Sequence, residues 1–264
     1  GNVFDSNTTN NVAIGHEAMR FYSNSSADGN VAIGYQAMYV GGNQADNSAN
    51  YNVAIGYLAG QVMNTGNSNV LVGGYTGAGL TSGVRNTAVG YTALNSLTTG
   101  NDTVAIGDEA GRYATGSYNT FVGANSGKGG TTSAPYSSGE YNVAVGYQSL
   151  DAFTTGFRNV GVGKDTLGLL TTGQKNTAIG DEAFFTLDKG NYSVAVGAAA
   201  GYFATGSNNT FMGYEAGKGG TSSVPHSSGE YNTAIGYNAL KGFTTGYQNV
   251  MIGAFTGDAI TTGQ

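Results

Sequence analysis

The chain has 264 residues, only 10 % of them charged, and a net charge of −6, a balance that argues against a nucleic-acid partner, which would need clustered Lys and Arg. It contains no cysteine, so disulfides and thiol metal sites are excluded, and no apolar run near 18 residues that would make a membrane span. The 39 % hydrophobic content is too high for a disordered tail, and 46 glycines at regular spacing point to a repeat array instead of packed globular domains.

No charged-then-apolar signal peptide opens the chain. Residues 1–10 read as the tail of a preceding repeat, since Asn2-Val3-Phe4 echoes Asn119-Thr120-Phe121. A motif then recurs down the sequence, clearest as Asn232-Thr233-Ala234-Ile235-Gly236-Tyr237-Asn238-Ala239-Leu240. Counted from its glycine it occurs fourteen times, at Gly15, Gly34, Gly56, Gly73, Gly90, Gly107, Gly123, Gly146, Gly163, Gly180, Gly197, Gly213, Gly236 and Gly253, mostly in steps of 16 or 17 residues. A fixed period of this kind is the mark of a solenoid.

The columns through these copies assign a role to each position. The third residue before the glycine is always Val or Thr and the residue directly before it is Ile, Val or Met. Two positions apart on a strand is the same face, so these columns predict an aliphatic stripe that forms the core. The column between them is mostly Ala, and the third residue after the glycine is always Ala, Ser or Thr; such small side chains predict close approach of another backbone. Four residues before the glycine, twelve of the fourteen copies carry Asn, with Thr103 and Ser193 as exceptions, which predicts an amide ladder between stacked coils. The glycine itself fits a positive φ or a bend without room for Cβ. A second short segment such as Tyr237-Asn238-Ala239-Leu240 and a Thr-Thr-Gly turn complete the coil, so the expected unit is strand, glycine bend, second strand, turn. Parallel stacking at about 4.8 Å would give a rod on the order of 65 Å long.

A longer period overlies the short one. Asn86–Gln174 aligns without gaps to Asn176–Gln264 with 50 of 89 positions identical, so five coils form a 90-residue super-repeat, at 86–175 and 176–264, within one solenoid domain spanning 1–264. One coil in each unit is long: Gly123 to Gly146 and Gly213 to Gly236 are 23 residues apart, and in an earlier, more divergent unit, whose Gly56, Gly73 and Gly90 lie 90 residues before Gly146, Gly163 and Gly180, Gly34 to Gly56 is 22. The insertions should protrude as loops, and loops on a rigid scaffold carry recognition, which makes Lys128, Tyr136, Glu140, Tyr141, Lys218, His226, Glu230, Tyr231, Asn43 and Gln44 the candidate receptor-binding residues. The structural repeat residues are represented by Asn232, Ile235, Gly236, Gly146 and Gly56.

Little else carries chemistry. Asp108-Glu109 and Asp181-Glu182 lie 73 residues apart, too many coils for a two-carboxylate site, and read as solvated caps on the bend together with Glu17. His16 and His226 lack a third ligand for zinc, and His226 stands where the sister loop has Tyr136. Gly127-Lys128-Gly129-Gly130 lacks the strand-to-helix setting of a phosphate loop. Tyrosine follows the repeat glycine at Tyr35, Tyr57, Tyr91, Tyr147, Tyr214 and Tyr237, either as a ladder of stacked rings or as a face for sugars and receptors.

Repeats of the form Asn-Thr/Val-Ala-Ile/Val-Gly-x-x-Ala-Leu with Thr-Thr-Gly turns resemble the heads of trimeric autotransporter adhesins and, more closely, the repeat arrays of bacteriophage tail fibres. The resemblance covers essentially the whole chain, although the adhesin coil is shorter, nearer 14 residues. It implies a left-handed parallel β-roll, a homotrimer around a threefold axis, and attachment to a glycan or protein receptor on a host surface, with no catalytic residue, cofactor or metal. In tail fibres of this kind a self-cleaving chaperone domain often follows. The chain begins at Gly1 and ends with Thr262-Gly263-Gln264, a tripeptide that at 172–174 leads into another copy, so it reads as an excised or processed segment of a longer protein. The expectation is an extracellular, all-β, non-enzymatic fibre segment on a virion tail or, alternatively, a bacterial adhesin head. An ice-binding solenoid would need a flat threonine array, which Asp188-Lys189 and Ala204-Thr205 interrupt, and a polysaccharide-degrading spike would need a close acidic pair.

Overall fold

The computed structural model describes residues 10–20, 27–40, 47–130, 136–220 and 226–263; the candidates Asn43 and Gln44 and the loop segments 131–135 and 221–225 lie outside them. The fold is all-β, a parallel β-solenoid in two compact units, Gly1–Ser138 and Gly139–Gln264. The first unit holds β1 to β7 (Val12–Ile14, Val31–Ile33, Val53–Ile55, Val70–Val72, Thr87–Val89, Val104–Ile106, Thr120–Val122). The second holds β8 to β14 (Val143–Val145, Val160–Val162, Thr177–Ile179, Val194–Val196, Thr210–Met212, Thr233–Ile235, Val250–Ile252). Within each unit every strand pairs in parallel with the next in chain order, and the repeat columns fall in register, as in Val53 opposite Val70 and Val143 opposite Val160.

Each strand is three residues long because both ends are fixed by side-chain chemistry. At the leading corner the asparagines form the expected ladder. The backbone N–H and side-chain Nδ2 of Asn159 both donate to Asn142 Oδ1, at 3.0 and 3.2 Å, and Nδ2 donates also to the Gly173 carbonyl at 2.9 Å. Asn176 then repeats the pattern on Asn159 Oδ1 at 3.0 and 3.1 Å. Where the ladder changes residue, a hydroxyl takes over as acceptor: Thr103 Oγ1 receives the Asn119 N–H and Ser193 Oγ the Asn209 N–H, at 3.5 and 3.2 Å. These buried amides therefore keep their partners. At the trailing end the repeat glycine has φ +135° at Gly146, and a Cβ there would meet the Gly163 carbonyl oxygen at 2.2 Å. Both reasons anticipated for glycine hold at once, the conformation and the contact.

Two sequence expectations are corrected. The Val/Thr and Ile/Val columns do not form the core. The column between them does, with Ala54, Leu71, Phe121, Ala144 and Phe211 fully buried while Ile106, Ile179 and Met212 remain 41 % exposed. Alternation on a strand lets only one set point inward, and the interior of a coil this small accepts Ala in most places. The small residues of the middle column thus face the inside of their own coil. The second segment is also not a strand. Its second and fourth residues after the glycine take left-handed φ, +53° at both Gln148 and Leu150, where an extended chain would be negative. It still bonds from coil to coil in alternating directions. Asn238 N–H donates to the Tyr214 carbonyl of the previous coil at 3.0 Å, and Leu240 N–H to the Thr256 carbonyl of the next at 2.8 Å.

Four buried columns make up the core: the middle strand residue, the small third residue after the glycine (Ala93, Ala183, Ala239), the larger fourth (Leu94, Leu150, Phe184, Leu240), and the residue before the turn (Met63, Leu97, Phe153, Phe243). Large residues in the middle strand column are matched by glycine in the fourth-residue column. Leu71 sits against Gly77, Phe121 against Gly111 and Gly127, and Phe211 against Gly217, each close enough that an added Cβ would fall 2.0 to 2.9 Å from the larger side chain. The cross-section thereby keeps a nearly constant filling while its composition changes.

Candidate functional site

The bases of two long loops are held tightly. Tyr113 N–H donates to the Lys128 carbonyl at 2.8 Å and Thr115 N–H to the Ser137 carbonyl at 2.7 Å, so the chain leaves and re-enters beside one coil. The sister loop repeats this with Phe203 on Lys218 and Thr205 on Ser227. Parallel bridges Ala114 to Ser137 and Ala204 to Ser227 complete the two anchors.

The predicted loop residues are placed by these bases, and several of them are engaged within the chain. Lys128 Nζ reaches Glu109 Oε2 at 2.6 Å and Asn125 Oδ1 at 3.2 Å, while Arg112 pairs with the other oxygen of the same carboxylate. The hydrogen bond from Lys128, with the charges of both cations, holds the Glu109 carboxyl below its ordinary value against the opposing effect of burial. Lys218 and Lys241 clamp Glu215 in the same manner. Burial pushes the Glu215 carboxyl up, but its two lysine hydrogen bonds outweigh that and leave it lowered. Glu109 is therefore the shared anion of an ion cluster with Arg112 and Lys128, not the solvated cap expected of it.

Tyr136 stacks on Tyr113 with ring centroids 6.2 Å apart, and His226 stacks on Phe203 at 5.7 Å. The exchange of Tyr for His thus preserves a ring stacked on the preceding coil. His226 also borders an open depression of about 650 Å³ with Leu169, Thr186, Asp188 and Lys189. Glu230 Oε1 accepts the Ser207 N–H at 3.4 Å, and the carbonyl of Glu140 accepts the Arg158 N–H at 3.0 Å. Tyr141 and Tyr231 are exposed and share φ near +57° on the corner that leads into their strands. Among the structural residues, Asn232 is buried in the ladder, Ile235 is half-buried on the outward stripe, and Gly56, Gly146 and Gly236 sit at the bend.

Of the tyrosines after the repeat glycine, Tyr35, Tyr57, Tyr214 and Tyr237 stack in short ladders, while Tyr91 meets Tyr75 edge-on. His16, Tyr35 and Tyr57 stack in sequence at 5.2 Å with interplanar angles of 6° and 11°, and Tyr214 stacks on Tyr237 at 5.3 Å. Rings stacked in this way cover one another's faces and turn edges and hydroxyls outward, which is a poor platform for a sugar ring.

The corner column five residues before the glycine escaped the sequence reading. In the first unit it contains Arg85 and Asp102 on successive coils, joined by two hydrogen bonds of 2.6 and 2.7 Å; that pairing, through the Arg85 hydrogen bonds, lowers the Asp102 pKa. In the second unit it runs Tyr141, Arg158, Lys175, Tyr192, all exposed. Arg158 lies over the Tyr141 ring at 5.6 Å, and Lys175 over the Tyr192 ring at 4.9 Å. The signal was present in the sequence as two cations in matching columns of adjacent coils. No protein family, no curated protein and no solved structure matches the chain, so the functional reading rests on this geometry.

Proposed function

We propose that the chain is a non-enzymatic segment of a trimeric fibre that attaches to a host cell surface, of the kind found in bacteriophage tail fibres. The observation that carries the reading is the outward stripe of Val, Thr, Ile and Met along every strand. Monomeric proteins rarely expose an apolar band across seven successive strands, as each unit does, and bands that do occur mark places where another molecule sits. A second and third copy are the natural occupants. The stripe repeats coil by coil, so three identical chains can turn it toward one threefold axis, each meeting its two neighbours through the two flanks of the stripe and leaving no apolar face free. The protein then acts outside the cell, as part of a virion, and presents its corners and loops to a glycan or protein receptor in three copies, with the gain in avidity that multivalency brings.

Light scattering coupled to size exclusion tests this. The expected mass is about three times the 26.7 kDa of one chain. Ile55→Glu combined with Ile235→Glu places charge on the outward stripe and should give a folded chain of single mass, checked by circular dichroism. A wild-type chain that runs folded at 26.7 kDa overturns the proposal.

A further inference from the structure

The corner of the second unit carries two cations that no described carboxylate pairs with. Among the described residues Arg158 and Lys175 enter no ion pair, although the chain is acidic overall. They occupy successive coils, so their backbones are about 4.8 Å apart. Like charges on neighbouring rungs repel, and the two side chains turn to opposite neighbours, Arg158 over the Tyr141 ring and Lys175 toward Tyr192, whose hydroxyl accepts from Nζ at 3.4 Å. The corner is also rigid. Arg158, Lys175 and Tyr192 each donate their backbone N–H to the preceding coil, at 3.0, 3.1 and 3.1 Å.

The first unit shows what this column does when a carboxylate is supplied. Asp102, one coil beyond Arg85, fills the guanidinium fork with both oxygens. The super-repeat places Lys175 and Tyr192 at the positions of Arg85 and Asp102, ninety residues on, so the acid has been replaced by a ring. Lys175 thus keeps the cationic half of a pairing whose anionic half no described residue provides, and Arg158, where the first unit has Ser68, adds a second cation one coil before it. On either side stands a tyrosine, Tyr141 at 47 % and Tyr192 at 53 % exposure.

We infer that the corner Tyr141-Arg158-Lys175-Tyr192 is a binding site for an acidic saccharide, with its carboxylate or sulfate on the exposed cations and its sugar rings along the exposed edges of the flanking tyrosines. Arg offers a planar fork for such groups and Lys a point charge, and aromatic side chains give sugars an apolar contact. From Tyr141 to Tyr192 is three coil steps, about 14 Å, the reach of a short oligosaccharide. A nucleic acid is the weaker fit, because two cations on a chain of charge −6 hold few phosphates. The inference names the receptor class within the attachment reading and rests on it, but it holds for the chain whether or not three copies associate.

The test is calorimetric titration of the full chain with a uronic-acid oligosaccharide, a sulfated one, neutral dextran fragments and a single-stranded DNA oligonucleotide. Binding of either acidic saccharide, weakened on the order of tenfold in Arg158→Gln/Lys175→Gln, is the expected result. Arg85→Gln, whose cation is already engaged by Asp102, should change it less than twofold. The two acidic sugars distinguish a carboxylate from a sulfate ligand. No binding of either, equal binding of dextran or DNA, or a double variant that binds like wild type overturns the site. A double variant that loses mass in light scattering overturns it too, because the cations would then be subunit contacts. A chain that binds the acidic sugar at 26.7 kDa keeps the site and removes the trimer.

Discussion

The ring of Phe121 lies where the side chain of residue 127 would be: a Cβ built on Gly127 falls 2.0 Å from Phe121 Cδ1. Conformation does not require this glycine, since Leu150 occupies the same repeat position with φ +53° and Gly127 has φ +55°. Room does. In the coil of Leu150 the middle strand residue is Ala144, so the large and small partners are simply exchanged.

Phe121→Ala should therefore cost about 3–5 kcal/mol through the cavity it leaves. Gly127→Leu alone should destabilise by overpacking. The double change, which copies the Ala144 and Leu150 arrangement, should recover more than half of the loss, leaving the space toward Gly111 unfilled. A double-mutant cycle by urea unfolding measures the coupling, and strict additivity would refute the paired filling.

Asn159→Ala removes the acceptor of two donors and a donor to Gly173 within a buried ladder, and about 2–4 kcal/mol is expected. Asn159→Thr should cost clearly less, because Thr103 and Ser193 already show a hydroxyl continuing the ladder. Equal losses would mean that the amide-specific bonds matter more than the acceptor at this corner.

Much of this was legible from the repeat columns alone. The period, the asparagine ladder and the bend glycine each repeat one residue type for one physical need, and such needs show through. The face of the sheet did not, because Val and Ile outrank Ala on any hydrophobic scale, and only the narrow coil interior reverses that order. The left-handed segment was invisible for a related reason: Gln148, Glu182 and Phe184 carry no glycine to announce a positive φ. At the candidate site, the sequence shows His226 exchanging with Tyr136, whereas Lys128 and Lys218 stand among the receptor-binding loop candidates with no sign of their ion pairs. Their carboxylate partners come from other positions of the coil surface, which linear spacing conceals.

Gly146→Ala should cost about 3–5 kcal/mol, combining a strained φ of +135° with a Cβ at 2.2 Å from the Gly163 oxygen. Thermal unfolding is the measurement. A loss below 1 kcal/mol would mean the coils can separate locally at little cost.

The Glu215 clamp sets a pH dependence. Its carboxyl is lowered in the folded chain, so its stabilisation is fully present above the ordinary value of 4.5 and is lost as the pH falls through the lower folded value. Glu215→Gln should lose on the order of 1 kcal/mol at pH 7 relative to wild type. That difference should shrink progressively below pH 4.5. A gap that stays constant into acid would show that the lysines bind the amide as well as the carboxylate.

The backbone bonds of these coils are the same from one rung to the next, so hydrogen bonding alone cannot tell which rung belongs beside which. A chain that looped out one coil while folding would lose few of them. Side-chain volume supplies the missing address. If the coil of Phe121 docked on that of Leu94 instead of that of Gly111, its ring would meet a leucine where it now finds a glycine. Each large residue with its matching glycine thus acts as a key that fits one neighbour, and the uneven interior of a nearly uniform repeat is what numbers its rungs.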